Sequence, residues 1–200
     1  MKKIITLGRE FGSGGRELGR RLAEQLGIAY YDQEILTEIA KRTSLSEQYV
    51  HQIVEHRPIT SYPIHVGRSL YAMPNPMLEQ SQAIYAEQTH IIQEMAAEAD
   101  CLIVGRCADY ILREQKPLRL FVYADEASKM ARCRLRAPEK EQLSDRELRQ
   151  QMRAVDKNRA RYYEFYTGQT WGDKANYDWC INTSNADIKQ VAAVVAKLFL

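Results

Sequence analysis

The chain has 200 residues, of which 45% are hydrophobic and 27% are charged, and its formal net charge is +2. This length suits one α/β domain with a sizeable core, and the small net charge argues against a broad nucleic-acid or membrane surface. Cys101, Cys107, Cys133 and Cys180 lack metal-ligand spacing, and no apolar run approaches the roughly 18 residues of a membrane span. We therefore expect a cytoplasmic protein with free thiols.

Hydrophobic patterning predicts strands that alternate with helices along the whole chain. The predicted elements are, in order, a strand (2–8), a helix (16–27), a strand (28–32), two helices (33–43 and 46–56), an irregular proline-rich excursion (57–77), a helix (78–99), a strand (100–105), a helix (108–115), a strand (118–124), a helix (126–136), a long basic segment (144–166), a strand (177–183) and a closing helix (186–200). This order indicates βαβ units in one domain, 1–200. We expect a doubly wound α/β fold whose parallel sheet has about five strands.

The stretch GREFGSGGRELG (8–19) follows the first predicted strand, where phosphate-binding loops carry the pattern GxxxxGK[ST]. Aligned on the strand end, Gly15 replaces the lysine of this pattern and Arg16 replaces the Ser/Thr. The glycines and the helix N-terminus retain the backbone chemistry of an anion cradle, and Arg16, or Arg9, can supply the missing cation. The expected cradle comprises Gly12, Ser13, Gly14, Gly15, Arg16 and Glu17.

Two other interpretations of this loop stay open. In a GxGxxG dinucleotide pattern, Gly12, Gly14 and Asp32 would fit, but Glu17 occupies the position of the third glycine. A tight turn that binds no ligand is the other alternative. Four glycines within eight residues exceed what a turn needs, so we favour phosphate binding.

Four segments, 8–32, 103–112, 118–125 and 155–184, resemble the cytidylate-kinase-like group of P-loop nucleoside monophosphate kinases. The resemblance implies a parallel five-stranded sheet, a helical insert for the nucleoside monophosphate (about 45–95) and an arginine-bearing lid (about 138–172). It also implies phosphoryl transfer from ATP with Mg²⁺, and CMP or dCMP as the acceptor.

The resemblance also carries roles to single residues. The family motif GRD is GRC here, so Arg106 is expected to hold the acceptor phosphate, while Cys107 replaces the acidic residue. The family pairs an aspartate with an arginine three residues later, which matches Asp156 and Arg159. These are expected near the cytosine nucleotide and the transferred phosphate. Asp32 ends the second strand, where the family places nucleotide-site residues.

Cations are dense between residues 132 and 161, as phosphoryl transfer requires around the transferred group. Arg149 and Arg153 fall on one helical face, and this basic face favours a lid that covers the glycine-loop cradle. We expect Arg153 and Arg159 to act as catalytic residues together with Arg16. The alternative is a solvated helix face balanced by neighbouring acids.

The magnesium ligands are not assigned by the sequence. Asp125 fits helix capping as well as metal contact, and Glu10 and Glu17 are the acids near the glycine loop. Arg68 and Tyr71, in the proline-rich excursion, are candidates for the acceptor site.

The predicted function is therefore that of an ATP-dependent kinase for CMP or dCMP. The alternative is a non-catalytic nucleotide- or phosphate-binding regulatory module on the same fold, and the missing lysine separates the two. The expected partners are nucleotides, without nucleic acid or membrane, and the chain could form a homo-oligomer. Tyr162, Phe165 and Tyr166 are expected to form the core-facing side of a helix.

Overall fold

A computed structural model of the protein describes residues 2–55, 76–137 and 143–199. Its strands are β1 (Ile4–Arg9), β2 (Ala29–Tyr31), β3 (Cys101–Val104), β4 (Leu118–Tyr123) and β5 (Trp179–Asn182). All neighbouring strands pair in parallel, in the order β2-β3-β1-β4-β5. The predicted parallel sheet of about five strands is confirmed.

The helices cover both faces of this sheet. They are α1 (Gly15–Leu26), α2 (Glu34–Thr43), α3 (Glu47–Glu55), α4 (Pro76–Glu98), α5 (Ala108–Ile111), α6 (Glu126–Arg136), α7 (Asp145–Thr167) and α8 (Ile188–Lys197). The predicted helix 108–115 is shorter, since α5 is followed by a 3-10 turn over Arg113–Gln115. Asp187 caps α8, where its carboxylate accepts from the Lys189 amide.

Successive side chains along each strand point to opposite faces of the sheet, and the core therefore has two layers, as expected of a parallel sheet buried on both sides. Ile5 and Leu7 of β1 pack with α1 and α8 on one face, together with Leu102 of β3. Ile4 and Ile103 face the opposite layer, which α2, α3, α4 and part of α7 complete. The carboxyl ends of β1, β3 and β4 therefore meet at one edge of the sheet.

The expected insert near 45–95 includes α3 and α4, and the expected lid near 138–172 includes α7. The part of the predicted excursion over 57–75, with Arg68 and Tyr71, lies outside the described residues. In the described ranges, no helix combines the length and the apolar character that crossing a bilayer would require.

Candidate functional site

The glycine loop joins β1 to α1 in the backbone conformation of an anion cradle. Gly12 (φ +74°) and Gly14 (φ +81°) are left-handed, and Gly14 is the N-cap of α1. The Ser13 hydroxyl donates to the Glu10 carbonyl (2.8 Å) and accepts from the Gly15 amide (3.3 Å), which fixes the bend. Because first-turn amides have no partner inside a helix and carry the positive end of its dipole, this terminus favours negative charge.

Close packing explains why the loop is built from glycine. A Cβ at Gly14 would lie 2.7 Å from Cδ1 of Ile188, the first residue of α8. A Cβ at Gly12 would lie 3.0 Å from both Cys133 Sγ and the Lys129 carbonyl of α6. The loop therefore lies between α6 and α8, and its two left-handed positions have no room for a side chain.

Arg132 of α6 connects this loop to the segment after β5. Its guanidinium donates to the carbonyls of Ser13 (3.5 Å), Thr183 and Ala186 (3.4 Å). The Thr183 hydroxyl also donates to the Ser13 carbonyl (2.7 Å). The hydrogen bonds from Arg132 and Thr183 thus hold the glycine loop at the Ser13 carbonyl.

Arg16, the residue in the Ser/Thr position of the phosphate-loop pattern, pairs with Asp32 across the sheet edge. Arg16 Nε lies 2.5 Å from Asp32 Oδ2, and Arg9 Nη2 lies 3.6 Å from Asp32 Oδ1. Asp32 is buried, whereas 57% of the Arg16 side chain is exposed. The structure thus brings three sequence-predicted site residues together and leaves more than half of the Arg16 side chain exposed.

Arg9 does not point toward the cradle. Its buried guanidinium lies against Gly105, where any Cβ would collide with it. Gly105 begins a turn of three consecutive left-handed residues, with φ +73° at Gly105, +59° at Arg106 and +56° at Cys107. Burial raises the pKa of the Cys107 thiol well above its ordinary range, so it stays a neutral core group.

A cavity of about 50 Å³ opens where β1 and β3 end, and three arginines from different elements line it. They are Arg9 from β1, Arg106 from the turn after β3, and Arg159 from α7. Asp109 and Tyr163 lie on the same wall, and the Tyr163 hydroxyl donates to Asp109 Oδ2 (2.6 Å). Burial raises the pKa of Asp109, and this hydrogen bond acts in the opposite direction.

α7 is docked on the beginning of the glycine loop. Asp156 Oδ1 accepts from the Phe11 amide (2.7 Å), and Arg159 Nη1 donates to the Arg9 carbonyl (3.3 Å). Burial raises the pKa of Asp156, while the Phe11 amide opposes that shift. Both residues of the family's aspartate–arginine pair thus contact the backbone where β1 becomes the loop.

Arg153 and Glu17, both predicted site residues, form ion pairs outside the cavity. Arg153 is 77% exposed and pairs with Glu126 (3.3 Å) on the outer side of α7. Glu17 pairs with Arg21 (2.9 Å) and with Arg136 of α6.

Sequence reasoning did not single out Lys129 or Gln88. Lys129 Nζ lies 3.0 Å from Glu10 Oε2, and both side chains are largely buried beside the loop. A signal for Lys129 was present, because Lys129, Arg132 and Arg136 follow the i, i+3, i+7 spacing of one helix face. Gln88 of α4 is fully buried and donates to the Arg106 carbonyl (2.9 Å).

The carboxylates near the loop fit a magnesium site only if the phosphates of a bound nucleotide supply the other ligands. Asp125 caps α6, with Oδ1 accepting from the Ser128 amide (2.7 Å), as one of its two interpretations predicted. Among the described residues, no group of three or more metal-ligating side chains is present. Kinase magnesium sites need one or two carboxylates beside the nucleotide phosphates. Asp32 is the best placed, because its buried Oδ1 makes no hydrogen bond within the described part of the chain, although it lies 3.6 Å from Arg9 Nη2 in an ion pair.

Comparison with solved structures finds the same fold in several proteins. An uncharacterized protein from Eubacterium ventriosum superposes with a TM-score of 0.70 and 28% identity, covering 98% of both chains. Shikimate kinase from Bacteroides thetaiotaomicron gives 0.58 and 15%, again covering 98% of both chains. A sugar kinase from Janibacter gives 0.53 and 10%, covering 100% of this chain and 95% of that one. At such identities, the two kinases show that the fold is shared.

A comparison with curated protein sequences finds no match. The model of the cytidylate kinase-like family, in contrast, matches residues 4–185, which include every strand and the glycine loop. The chain therefore belongs to the cytidylate kinase-like family of phosphotransferases.

Proposed function

We propose that the protein is an ATP-dependent nucleoside monophosphate kinase that transfers the γ-phosphate of ATP to CMP or dCMP. The observation that carries this proposal is the convergence of Arg9, Arg106 and Arg159 on one cavity beside the glycine loop. Ligands of doubly wound sheets bind at the carboxyl ends of the strands, where this cavity lies. Phosphoryl transfer between two phosphorylated molecules needs two phosphate-binding regions that lie side by side.

The glycine loop is the donor half of this site. The backbone of residues 12–17 would hold the ATP phosphates at the N-terminus of α1. Arg16 would supply the positive charge that a lysine provides in other phosphate loops, since more than half of its side chain is exposed. A bound Mg²⁺ would neutralise charge on the phosphates, and Asp32 would contact it from the end of β2.

The arginine-lined cavity is the acceptor half. Its volume of about 50 Å³ suits a phosphate group, whereas a pocket for a whole drug-sized ligand holds roughly 300 Å³ or more. Arg106 and Arg159 would bind the acceptor phosphate through charge-assisted hydrogen bonds, with the nucleoside extending out of the cavity. Arg9 adds positive charge to the cavity wall, and its ion pair with Asp32 connects the acceptor half of the site with the donor half.

Catalysis in this arrangement consists of positioning and charge neutralisation. An oxygen of the acceptor phosphate attacks the γ-phosphorus of ATP while the bond to the ADP oxygen breaks. Arg16 and Arg159 would stabilise the charge on the transferred group from opposite sides. Arg153 is proposed as a third cation, which would first have to leave Glu126. We further propose that 45–95 serves as the acceptor insert and 138–172 as the lid.

One assay tests the proposal. Purified protein is incubated with ATP, Mg²⁺ and a panel of nucleoside monophosphates, and ADP formation is measured. We expect turnover with CMP or dCMP, and a loss of about 100-fold or more in kcat/KM for Arg16→Ala. Arg20→Ala is the matched control, because Arg20 lies one turn further along α1, is 62% exposed and is 4.0 Å from Glu24. It should behave like the wild type.

A non-catalytic phosphate-binding module is the second candidate, favoured by Gly15 in the place of the lysine. Nucleotide binding without turnover on any acceptor would support that module. If neither ATP nor any monophosphate raises the melting temperature, the phosphate-binding interpretation of the loop is wrong.

A further inference from the structure

We propose that Gln88 is a positioning residue, which holds the turn after β3 so that Arg106 faces the acceptor phosphate. This inference rests on the proposed function, because it assigns Arg106 to the acceptor. Gln88 comes from α4 and bonds to two residues that line the cavity, Arg106 and Tyr162, and no role for it follows from the motifs of the sequence.

The turn that carries Arg106 is strained. Arg106 and Cys107 both have positive φ, directly after Gly105, which has the same conformation. Residues with a Cβ rarely adopt this region, and two in succession persist only where surrounding contacts hold them. Such strain is concentrated at functional sites.

The amide of Gln88 supplies one of these contacts. Its side chain is fully buried, its Nε2 donates to the Arg106 carbonyl (2.9 Å), and its Oε1 accepts from the Tyr162 hydroxyl (3.2 Å). Since a carbonyl can only accept, the nitrogen of the amide must face Arg106. Gln88 therefore joins α4, the strained turn and α7 through two buried hydrogen bonds.

The position of the contact predicts a selective effect. Gln88 holds the main chain of Arg106, and the direction of that main chain sets where the guanidinium enters the cavity. Without the bond, the turn can relax toward negative φ and turn the side chain away. Gln88 also bonds to Tyr162 of α7, but the Ser13 carbonyl of the glycine loop is held by Arg132 and Thr183, which belong neither to α4 nor to α7. We therefore expect the loss of Gln88 to affect the glycine loop less than the turn.

The test compares Michaelis constants for the two substrates. Gln88→Met keeps the length of the side chain and removes both hydrogen bonds. Gln88→Glu keeps an acceptor for Tyr162 but places a carboxylate oxygen against the Arg106 carbonyl. We expect both variants to raise KM for CMP at least about tenfold, as the loss of a buried hydrogen bond implies, and to leave KM for ATP within about twofold.

Ser81→Ala is the matched control, since it also removes a buried polar group from α4, in this case a hydroxyl that donates to the Met77 carbonyl. It should leave both constants within about twofold of the wild type. An equal rise of both constants in Gln88→Met, or an effect of Ser81→Ala as large as that of Gln88→Met, would overturn the proposal.

Calorimetry with inorganic phosphate separates this inference from the proposed function. If the wild type transfers no phosphate to CMP, the function fails, but Gln88→Met should still weaken phosphate binding as Arg106→Ala does. The double variant should then be no weaker than Arg106→Ala alone, because both changes remove the same contact. Additive losses, or unchanged phosphate affinity in Gln88→Met, would overturn the positioning role.

Discussion

Asp156 of α7 accepts a hydrogen bond from the backbone amide of Phe11, with 2.7 Å between Oδ1 and the nitrogen. The Phe11 ring packs against Met130, Leu148 and Met152 of α6 and α7. One polar and one apolar contact thus attach the glycine loop to the helix expected to form the lid. The family resemblance implies a place near the cytosine nucleotide for this aspartate, and the structure adds a contact with the loop that we propose holds the donor phosphates.

Replacing Asp156 should therefore affect ATP more than the acceptor. We expect Asp156→Ala to raise KM for ATP about tenfold and to lower the free energy of unfolding by about 1–3 kcal/mol, because the Phe11 amide loses its acceptor. Asp156→Asn retains an oxygen and should be less affected, while the exposed neighbour Lys157→Ala should match the wild type. Steady-state kinetics and urea unfolding measure both effects. A change confined to the CMP constant would return Asp156 to the acceptor role.

Alanine variants of two left-handed glycines distinguish the stability cost of backbone strain from the stability cost of overpacking the loop. Gly27→Ala places a Cβ where none of the described atoms lies within 4 Å, so it should cost about 1–2 kcal/mol from its positive φ alone. Gly14→Ala adds a contact of 2.7 Å with Ile188, and overpacking of this kind costs about 1–3 kcal/mol more. Urea unfolding should rank the variants in this order, and loss of ATP binding should be confined to Gly14→Ala. Equal stability losses would show that Ile188 moves aside freely.

Arg159 and Arg153 lie on the same helix but in different surroundings. Arg159 lines the cavity with 19% of its side chain exposed, whereas Arg153 is 77% exposed beside Glu126. We expect Arg159→Ala to lower kcat about 100-fold and Arg153→Ala about tenfold or less, because Arg153 must first leave its partner. Single-turnover measurements at saturating ATP and CMP test this order. The reverse order would mean that α7 adopts another position during transfer.

The sheet and most helices could be predicted because the fold class follows from the alternation of buried strands and amphipathic helices. Local exceptions have local causes. The helical segment that begins with α5 and continues as a 3-10 turn ends at Gln115, because Pro117 disfavours helix at the residue before it and Lys116 adopts φ +51° instead. Tyr162 and Tyr166 pack as predicted, but Phe165 is 39% exposed because Tyr163 takes the inner position.

The candidate site was less predictable, since its contacts join distant parts of the chain. The glycine pattern predicted where the loop lies in the chain. The direction of the Arg9 side chain depends instead on Gly105, which the pairing of β1 with β3 brings beside it. Gln88 looks like a surface residue in the sequence, because a glutamine in a polar helix has no periodic signal. Its burial follows from where α4 meets the turn after β3, a long-range contact that hydrophobic patterning does not encode.

Asp109 should make the stability of the protein depend on pH in an unusual direction for an aspartate. Burial raises its pKa above the ordinary value of 3.8, so the folded state binds a proton more tightly than the unfolded chain does. The stability that Asp109 contributes is therefore fully present below the ordinary pKa and is lost as pH rises through the raised one. Above that range, the carboxylate imposes a constant cost.

Asp109→Asn removes this titration while keeping an acceptor for the Tyr163 hydroxyl. As pH rises across the window above 3.8, we expect the wild type to lose free energy of unfolding relative to the variant, measured by urea unfolding at several pH values. Asp178→Asn provides a control of opposite sign, because the hydrogen bonds from Arg119 lower the pKa of Asp178. The wild type should gain stability relative to that variant as pH rises from below the lowered value to 3.8. A difference from Asp109→Asn that does not change with pH would mean that folding does not raise the pKa of Asp109, and it would contradict this prediction.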